Sequence, residues 1–340
     1  MDLVRLLESF ESCGLIMIPS LFMVLGIYMF LRCLYRFARS LYIYDLLYSF
    51  NIYRQTSRFN DYTLTKDLGI PYALITNAGT ELGRNFAEKL AGLGFNLVLQ
   101  DAALHEVTDL QSKLGTKYPF RKFHIMIISP KIVYDNRGML ASSRIQEAMQ
   151  DYTLKVLVNI AYPRPSTGEK HNPRHVKLQF TDVIYGCVTL PTLMLTSATE
   201  RLATCAPSLI LNVEAPDDSD LETALVGAGC RAYLRRVTVD LAREMKALGA
   251  DVEVLDLNVG PISGIRDIHN GVMKKTPFRP TIDNFVLAAL ARVGCGEKVL
   301  APCWQHAFMG WCVNLAPVPI MEWLRIKILR RRIHQSMRPR

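Results

Sequence analysis

No pair of cysteines in this chain is spaced C-x-x-C or C-x-x-x-C. The eight cysteines stand at 13, 33, 187, 205, 230, 295, 303 and 312, scattered over 340 residues. Zinc fingers, zinc ribbons and redox dithiols need closely paired thiolates, so these classes are excluded, as is a small disulfide scaffold. Unpaired thiols in a reducing compartment are what remains. Net charge is also lacking where it would matter for nucleic acid. Residues 61–324 hold 27 basic and 27 acidic side chains, while residues 325–340 hold seven basic and no acidic ones. The formal charge of +9 is therefore largely a C-terminal tail, and a phosphate-tracking face on the folded body is excluded. Nucleic acid is not an expected partner.

Charge of either sign is absent from Leu15–Leu31 (LIMIPSLFMVLGIYMFL). At 1.5 Å per residue this run makes about 25 Å of helix, within the range that spans a bilayer. A secretory signal would carry a basic leader, but Asp2, Glu8 and Glu11 outnumber Arg5 there. Residues 1–32 therefore read as a membrane anchor; a buried N-terminal helix is the other reading of the same span. Arg32, Arg36 and Arg39 follow it, which places the remainder of the chain on the cytosolic side. Residues 33–68 read as an amphipathic, aromatic-rich connector. At the other end, Trp323–Ile328 runs into Arg330, Arg331 and Arg332, the pattern of an interfacial helix with a basic tail. Membrane lipid is thus the expected partner at both ends, through residues 15–31 and the tail.

Between these ends, apolar runs alternate with helical spacing. Strands are predicted at Tyr72–Thr76, Phe95–Gln100, His124–Ser129, Lys155–Asn159, Leu209–Val213 and Val252–Leu257. Helices are predicted at Arg84–Leu93, about Asp182–Leu202, and Cys230–Leu248. The order predicts an α/β fold, a doubly wound parallel sheet that binds ligands beyond the carboxyl ends of its strands. This domain is expected over 69–268, followed by C-terminal hydrophobic helices and the tail over 269–340.

Four stretches carry a family likeness: TNAGTELGRNFAEKLAGLGFNLVL from Thr76, KVLVN from Lys155, LILNV from Leu209, and RAYLRRVTVDLAREMKALGADVEV from Arg231. Over about residues 70–330 the chain resembles the short-chain dehydrogenases/reductases. The branch it resembles holds the microsomal 17β-hydroxysteroid dehydrogenases and very-long-chain 3-oxoacyl-CoA reductases, together with members called inactive hydroxysteroid dehydrogenase-like proteins. The resemblance implies a Rossmann-like fold, an endoplasmic reticulum membrane location (a mitochondrial one being the alternative), and homodimers or a protein partner.

It also implies site positions, and here the residues depart from the pattern. The cofactor motif T-G-x-x-x-G-x-G falls on Thr76 to Gly83, with Asn77 at the first glycine and Glu81 at the middle one. Asn tolerates the left-handed turn. A glutamate beside a pyrophosphate costs about 4 kcal/mol at an effective dielectric of 20, or roughly three decades of affinity. Asp101 takes the place of the ribose-binding acid of NAD-using relatives, and Ala102 that of the arginine that selects NADP(H). Asn159 keeps the first residue of an N-N-x-G turn whose end is Tyr162. The cofactor positions are thus Thr76, Gly83, Asp101 and Asn159, read as vestigial.

The family's catalytic Asn, Ser, Tyr and Lys fall on Gly186, Ala215 (or Glu214), Gly227 and Arg231. None of these replaces the phenol that protonates the nascent alkoxide. The first expectation is therefore a membrane-anchored, catalytically inactive member, a scaffold, partner or lipid-binding protein with no cofactor and no metal. The second is a divergent oxidoreductase that uses NAD(H) or NADP(H) on a steroid or fatty-acyl lipid.

Overall fold

The computed structural model describes residues 20–36, 38–39, 69–128, 138–162, 180–214, 221–264, 266–267, 271–272 and 276–336. The chain divides into two compact units, Met1–Gln55 and Thr56–Arg340. In the first unit residues 20–36 are helical. Apolar side chains point outward all round this helix, with Leu21, Phe22 and Met23 each 68% exposed. Among the described residues no helix is long and apolar enough to cross a membrane. The expected span Leu15–Leu31 begins outside them, and its transmembrane character is not established by the structure.

The second unit is a seven-stranded parallel sheet in the order β3-β2-β1-β4-β5-β6-β9. The strands are β1 (Tyr72–Ile75), β2 (Asn96–Asp101), β3 (Phe123–Ile127), β4 (Leu154–Ile160), β5 (Ser208–Val213), β6 (Val252–Leu257) and β9 (Val299–Leu300). A short antiparallel pair, β7 (Arg266–Asp267) and β8 (Gly271–Val272), stands apart. The helices are α1 (Glu81–Gly92), α2 (Leu104–Lys117), α3 (Gly138–Met149), α4 (Phe180–Ile184), α5 (Leu190–Thr204), α6 (Leu221–Ala247), α7 (Ile282–Ala291), α8 (Trp304–Leu315) and α9 (Val318–Ser336). Helices cover both faces of the sheet, so its central strands read as continuous apolar runs rather than alternating ones. Every residue of β2, β4 and β5 is buried.

The six predicted strands all form. The predicted helix over 182–202 does not run unbroken. A π turn at Tyr185–Thr189 separates α4 from α5, and the Leu190 amide donates to the Tyr185 carbonyl five residues back. The helix expected from Cys230 begins at Leu221, nine residues earlier, and carries Gly227 and Gly229 in its interior. Packing of α6 on β6 overrides the low helix propensity of those glycines. Strand β9, which extends the sheet beyond β6, has too few residues to leave a periodic signal.

The strand order reverses between β1 and β4, on either side of which the connections run in opposite directions. Ligands of such sheets bind in the crevice at this switch point. A buried polar ladder crosses the floor beneath it. Thr76 Oγ1 accepts from the Ile160 amide at 2.7 Å. Asn159 Nδ2 donates to Asn212 Oδ1 at 2.9 Å, and Asn212 Nδ2 donates to Thr238 Oγ1 at 2.7 Å. Buried polar groups are costly unless paired, and these pair with one another across β1, β4, β5 and α6.

Candidate active site

The turn from β1 into α1 has the shape of a dinucleotide cradle. Asn77 adopts φ +49°, supplying the left-handed residue in place of glycine. Its Nδ2 donates to the Ile160 carbonyl at 2.8 Å, which fixes the turn against β4. Thr80 caps α1, its Oγ1 accepting from the Gly83 amide at 3.1 Å. A Cβ on Gly83 would lie 2.4 Å from the Asn77 carbonyl oxygen, so only glycine permits this crossing of helix and turn. Glu81, the residue expected to obstruct a pyrophosphate, is exposed at the first position of α1. Its carboxylate is in water and does not fill the groove, which removes the steric part of the objection. Tyr162 is half-buried, and its amide donates to the Gly186 carbonyl at 3.2 Å.

The ribose side is differently arranged from the expectation. Asp101 is fully buried. Its Oδ2 accepts from the Gly79 amide at 2.8 Å, and its Oδ1 from the Ala102 and Ala103 amides at 2.7 and 3.1 Å. It organises two loops rather than presenting a free carboxylate. Glu106 Oε2 lies 2.6 Å from where a Gly79 Cβ would stand, so a second carboxylate borders the same spot. Two carboxylates repel a 2′-phosphate and suit hydroxyl donors. The Gly79 and Thr80 amides are taken by Asp101 and the Asn77 carbonyl, so the part of the turn that fits a pyrophosphate is the start of α1, at the amides of Glu81 and Leu82. Thr76 and Asn159 take no outward role; both are spent on the polar ladder.

Beyond the carboxyl ends of β4 and β5 lies a small, largely apolar niche of about 10 Å³. Ala161, Cys187, Glu214, Gly227, Cys230 and Arg231 line it. Two of the four tetrad positions, Gly227 and Arg231, thus meet here, four residues apart on α6. Gly186 lies in the π turn. Ala215 falls outside the described residues. Tyr233 is on another side of α6, its hydroxyl 2.9 Å from that of Thr192, and takes no part in the niche.

Sequence reasoning missed the main ionic feature of the site. Glu214 immediately follows β5, Asp256 sits on β6, and both side chains are almost wholly buried. Arg235 spans them, donating to Glu214 Oε1 at 2.9 Å and to Asp256 Oδ2 at 3.3 Å. Burial, followed by the Glu214 charge, pushes the Asp256 carboxyl up to about 8. Burial also raises Glu214, against the pull of Arg235 and Arg231. The signal was present: an acid at the end of LILNVE, another inside the apolar run VEVLDL, and three arginines on the facing helix. Beyond β6, the His306 ring of α8 packs on Gly260, 2.6 Å from where a Cβ would stand, and its Nε2 meets the Pro261 carbonyl at 3.1 Å. Burial lowers this imidazole's pKa.

No family profile matches the chain. It is 25% identical over 256 residues to a very-long-chain 3-oxoacyl-CoA reductase of Pyricularia oryzae, covering 72% of each chain. It is 24% identical over 271 residues to a very-long-chain 3-oxoacyl-CoA reductase-like protein of Arabidopsis thaliana, covering 77% of this chain and 82% of that one. Among solved structures, a short-chain dehydrogenase from Sphingobium yanoikuyae in complex with NADPH matches with a TM-score of 0.52 at 17% identity, over 79% of this chain and 97% of that one. A β-ketoacyl-[ACP] reductase from Bacteroides thetaiotaomicron matches with a TM-score of 0.52 at 18% identity, over 68% and 94%. These relatives overturn the expectation of an inactive scaffold: the proteins this chain is similar to are named reductases, and the oxidoreductase reading is the one they fit. The expectation of no cofactor is likewise unsupported, since a neighbour in the fold holds NADPH. In fold the chain is similar to the short-chain dehydrogenases/reductases, and the curated relatives it resembles in sequence are named very-long-chain 3-oxoacyl-CoA reductases.

Proposed function

We propose that this chain is a nicotinamide-dependent oxidoreductase acting on the carbonyl or hydroxyl of a fatty-acyl lipid. The observation that carries the reading is the turn at Asn77–Gly83. Its left-handed Asn77 and the close crossing at Gly83 keep a dinucleotide cradle although two of the motif's glycines are replaced. The names of its relatives supply the substrate class, a 3-oxoacyl thioester. A bound NAD(H) would supply or accept the hydride. The chain's own part is to hold the pyrophosphate on the amides of Glu81 and Leu82 at the start of α1, to refuse a 2′-phosphate through Asp101 and Glu106, and to manage the proton at the carboxyl ends of β5 and β6.

A lipid substrate fits the chain's ends. The helix at residues 20–36 is apolar on all sides and exposed. Trp304, Phe308, Trp311, Ile320 and Trp323 of α8 and α9 are exposed as well, and Arg325, Lys327 and Arg330–Arg332 share α9 with them. In the proposed arrangement these ends attach the protein to the endoplasmic reticulum membrane, its sheet on the cytosolic side, within reach of acyl chains.

The test is NADH and NADPH titration of the full chain in detergent or nanodiscs, followed by assay with a long-chain 3-oxoacyl-CoA. Saturable NADH binding, weaker NADPH binding and turnover are expected. Failure to bind either cofactor at millimolar concentration sinks the proposal.

A further inference from the structure

The family's proton donor is absent from α6, where Gly227 presents no side chain, yet reduction of a carbonyl requires a proton at the new alkoxide. Beside Gly227 in the niche stands Glu214, one of a pair of buried carboxyls. Parallel pairing of β5 with β6 sets Asn212 beside Asp256 and Val213 beside Leu257, so Glu214 emerges next to the Asp256 carboxyl. Both carboxyls contact the same guanidinium, Arg235 reaching Glu214 Oε1 at 2.9 Å and Asp256 Oδ2 at 3.3 Å.

Three observations converge on a shared proton. Glu214 is 1% exposed and Asp256 is fully buried, while Arg235 alone bridges both. Arg231 acts on Glu214 and not on Asp256, so Asp256 shares the single guanidinium of Arg235 with Glu214, and a proton relieves the buried charge on that side. In addition, Asp256 Oδ1 receives no hydrogen-bond donor among the described residues. A proton between the carboxyls satisfies that oxygen. Like charges this close do not both ionise near neutral pH.

The groups facing the pair are few. From α6 come Arg231 and Arg235, both cationic, and Cys230. From the π turn comes Cys187, whose thiol burial pushes up to about 12, so it stays neutral. At the β9 edge the contact is backbone only: the Asp256 amide donates to the Lys298 carbonyl at 2.8 Å. Glu214, and not Asp256, borders the niche, which Gly227 and Arg231 also line.

We infer that Glu214 and Asp256 hold one exchangeable proton between them, and that Glu214, which borders the niche beside Gly227, delivers it to the substrate oxygen. This rests on the oxidoreductase reading above. The carbonyl carbon takes a hydride, with its electron pair, from the reduced nicotinamide. The carbonyl oxygen takes a proton from Glu214. The pair is left doubly ionised between Arg235 and Arg231, and solvent returns the proton. Glu214 is the donor; Asp256 is a positioning residue that keeps Glu214 protonated.

Infrared spectroscopy of the full chain in nanodiscs tests the shared proton without any turnover. A protonated-carboxyl band, shifted in D2O, is expected at pH 6.5, fading as pH rises through about 8 and absent in Glu214→Gln. Asp256→Asn serves the same purpose should Glu214→Gln not fold. Absence of the band from the wild type at pH 6.5, or its persistence in both variants, overturns the inference. With a long-chain 3-oxoacyl-CoA and NADH, Glu214→Gln is expected to lower kcat by roughly a hundredfold or more, with NADH affinity unchanged. A wild-type rate in Glu214→Gln overturns the donor role. A wild type that binds no NADH overturns the oxidoreductase reading and the donor role with it, while the infrared band still reports whether the proton is shared.

Discussion

The Gly79 amide donates to Asp101 Oδ2 at 2.8 Å, joining the cofactor turn after β1 to the end of β2. The other oxygen of the same carboxylate caps the start of the next loop at Ala102 and Ala103. One buried charge therefore sets the spacing of two loops that border the switch-point crevice. Replacing Asp101 with Ala strands the Gly79 amide and frees both loops. Charge-assisted bonds of this kind are worth about 1.5–3 kcal/mol each, and solvent can replace those at the half-exposed Ala102 and Ala103. A loss of about 2–4 kcal/mol is expected, measurable by urea denaturation of the full chain in detergent.

Gly83→Ala tests the crossing of turn and helix. The added methyl would meet the Asn77 carbonyl at 2.4 Å and Ala78 Cα at 2.8 Å, both backbone atoms that cannot rotate aside. Relief requires α1 to move away from the turn. An overpacking cost of about 1–3 kcal/mol is expected, with NADH affinity reduced at least about tenfold if as little as 1.4 kcal/mol is lost at the phosphate turn. Unchanged affinity in a folded Gly83→Ala protein would show that the cradle is not used.

Asn212 holds the middle of the polar ladder, accepting from Asn159 and donating to Thr238. Asn212→Ala leaves a buried amide and a buried hydroxyl each short of one partner. The expected loss is about 1–3 kcal/mol. Thermal unfolding should show it, while Thr196→Ala on the exposed side of α5 should change stability by less than about 0.5 kcal/mol.

The carboxyl pair makes stability depend on pH with a definite sign. The Asp256 carboxyl is held up at about 8 in the folded chain against an ordinary 3.8. Between these values the folded state binds the proton that the unfolded state has released. Stability from this group is therefore present in full below about pH 4, falls as pH rises toward about 8, and levels off above it. The slope is at most about 1.4 kcal/mol per pH unit for one proton. From pH 5 to 8 the denaturant midpoint of the wild type should fall relative to that of Asp256→Asn, which has no proton to release at this position. Parallel curves would refute a proton held in that window.

The sheet was readable because each of its central strands is covered on both faces and so runs apolar without a break, as LILNV and VLVN do. The cofactor turn was readable as a pattern of residue types, but its tolerance of Asn77 and Glu81 was not. That tolerance depends on which way two side chains point, into the Ile160 carbonyl for Asn77 and into water for Glu81. Asp101 was placed at the correct strand end, but a sequence does not show that three amides already claim its carboxylate. The Glu214–Asp256–Arg235 cluster was hidden for another reason. Its members come from β5, β6 and α6, and only the register of two parallel strands brings them together.

The π turn at Tyr185–Thr189 bears on how this chain may be compared with any other. An i→i+5 ring encloses one residue more than an α-turn, so the helix on its far side is rotated by about 100° relative to an unbroken one. Residue-by-residue counting through such a ring slips by one position unless the other chain carries the same surplus residue. The correspondence drawn from Gly186 is therefore a matter of which backbone carbonyl leaves the helical ladder. Here it is the Gly186 carbonyl, turned to the Tyr162 amide, and spatial superposition on that carbonyl, not alignment of letters, identifies the equivalent residue in a relative.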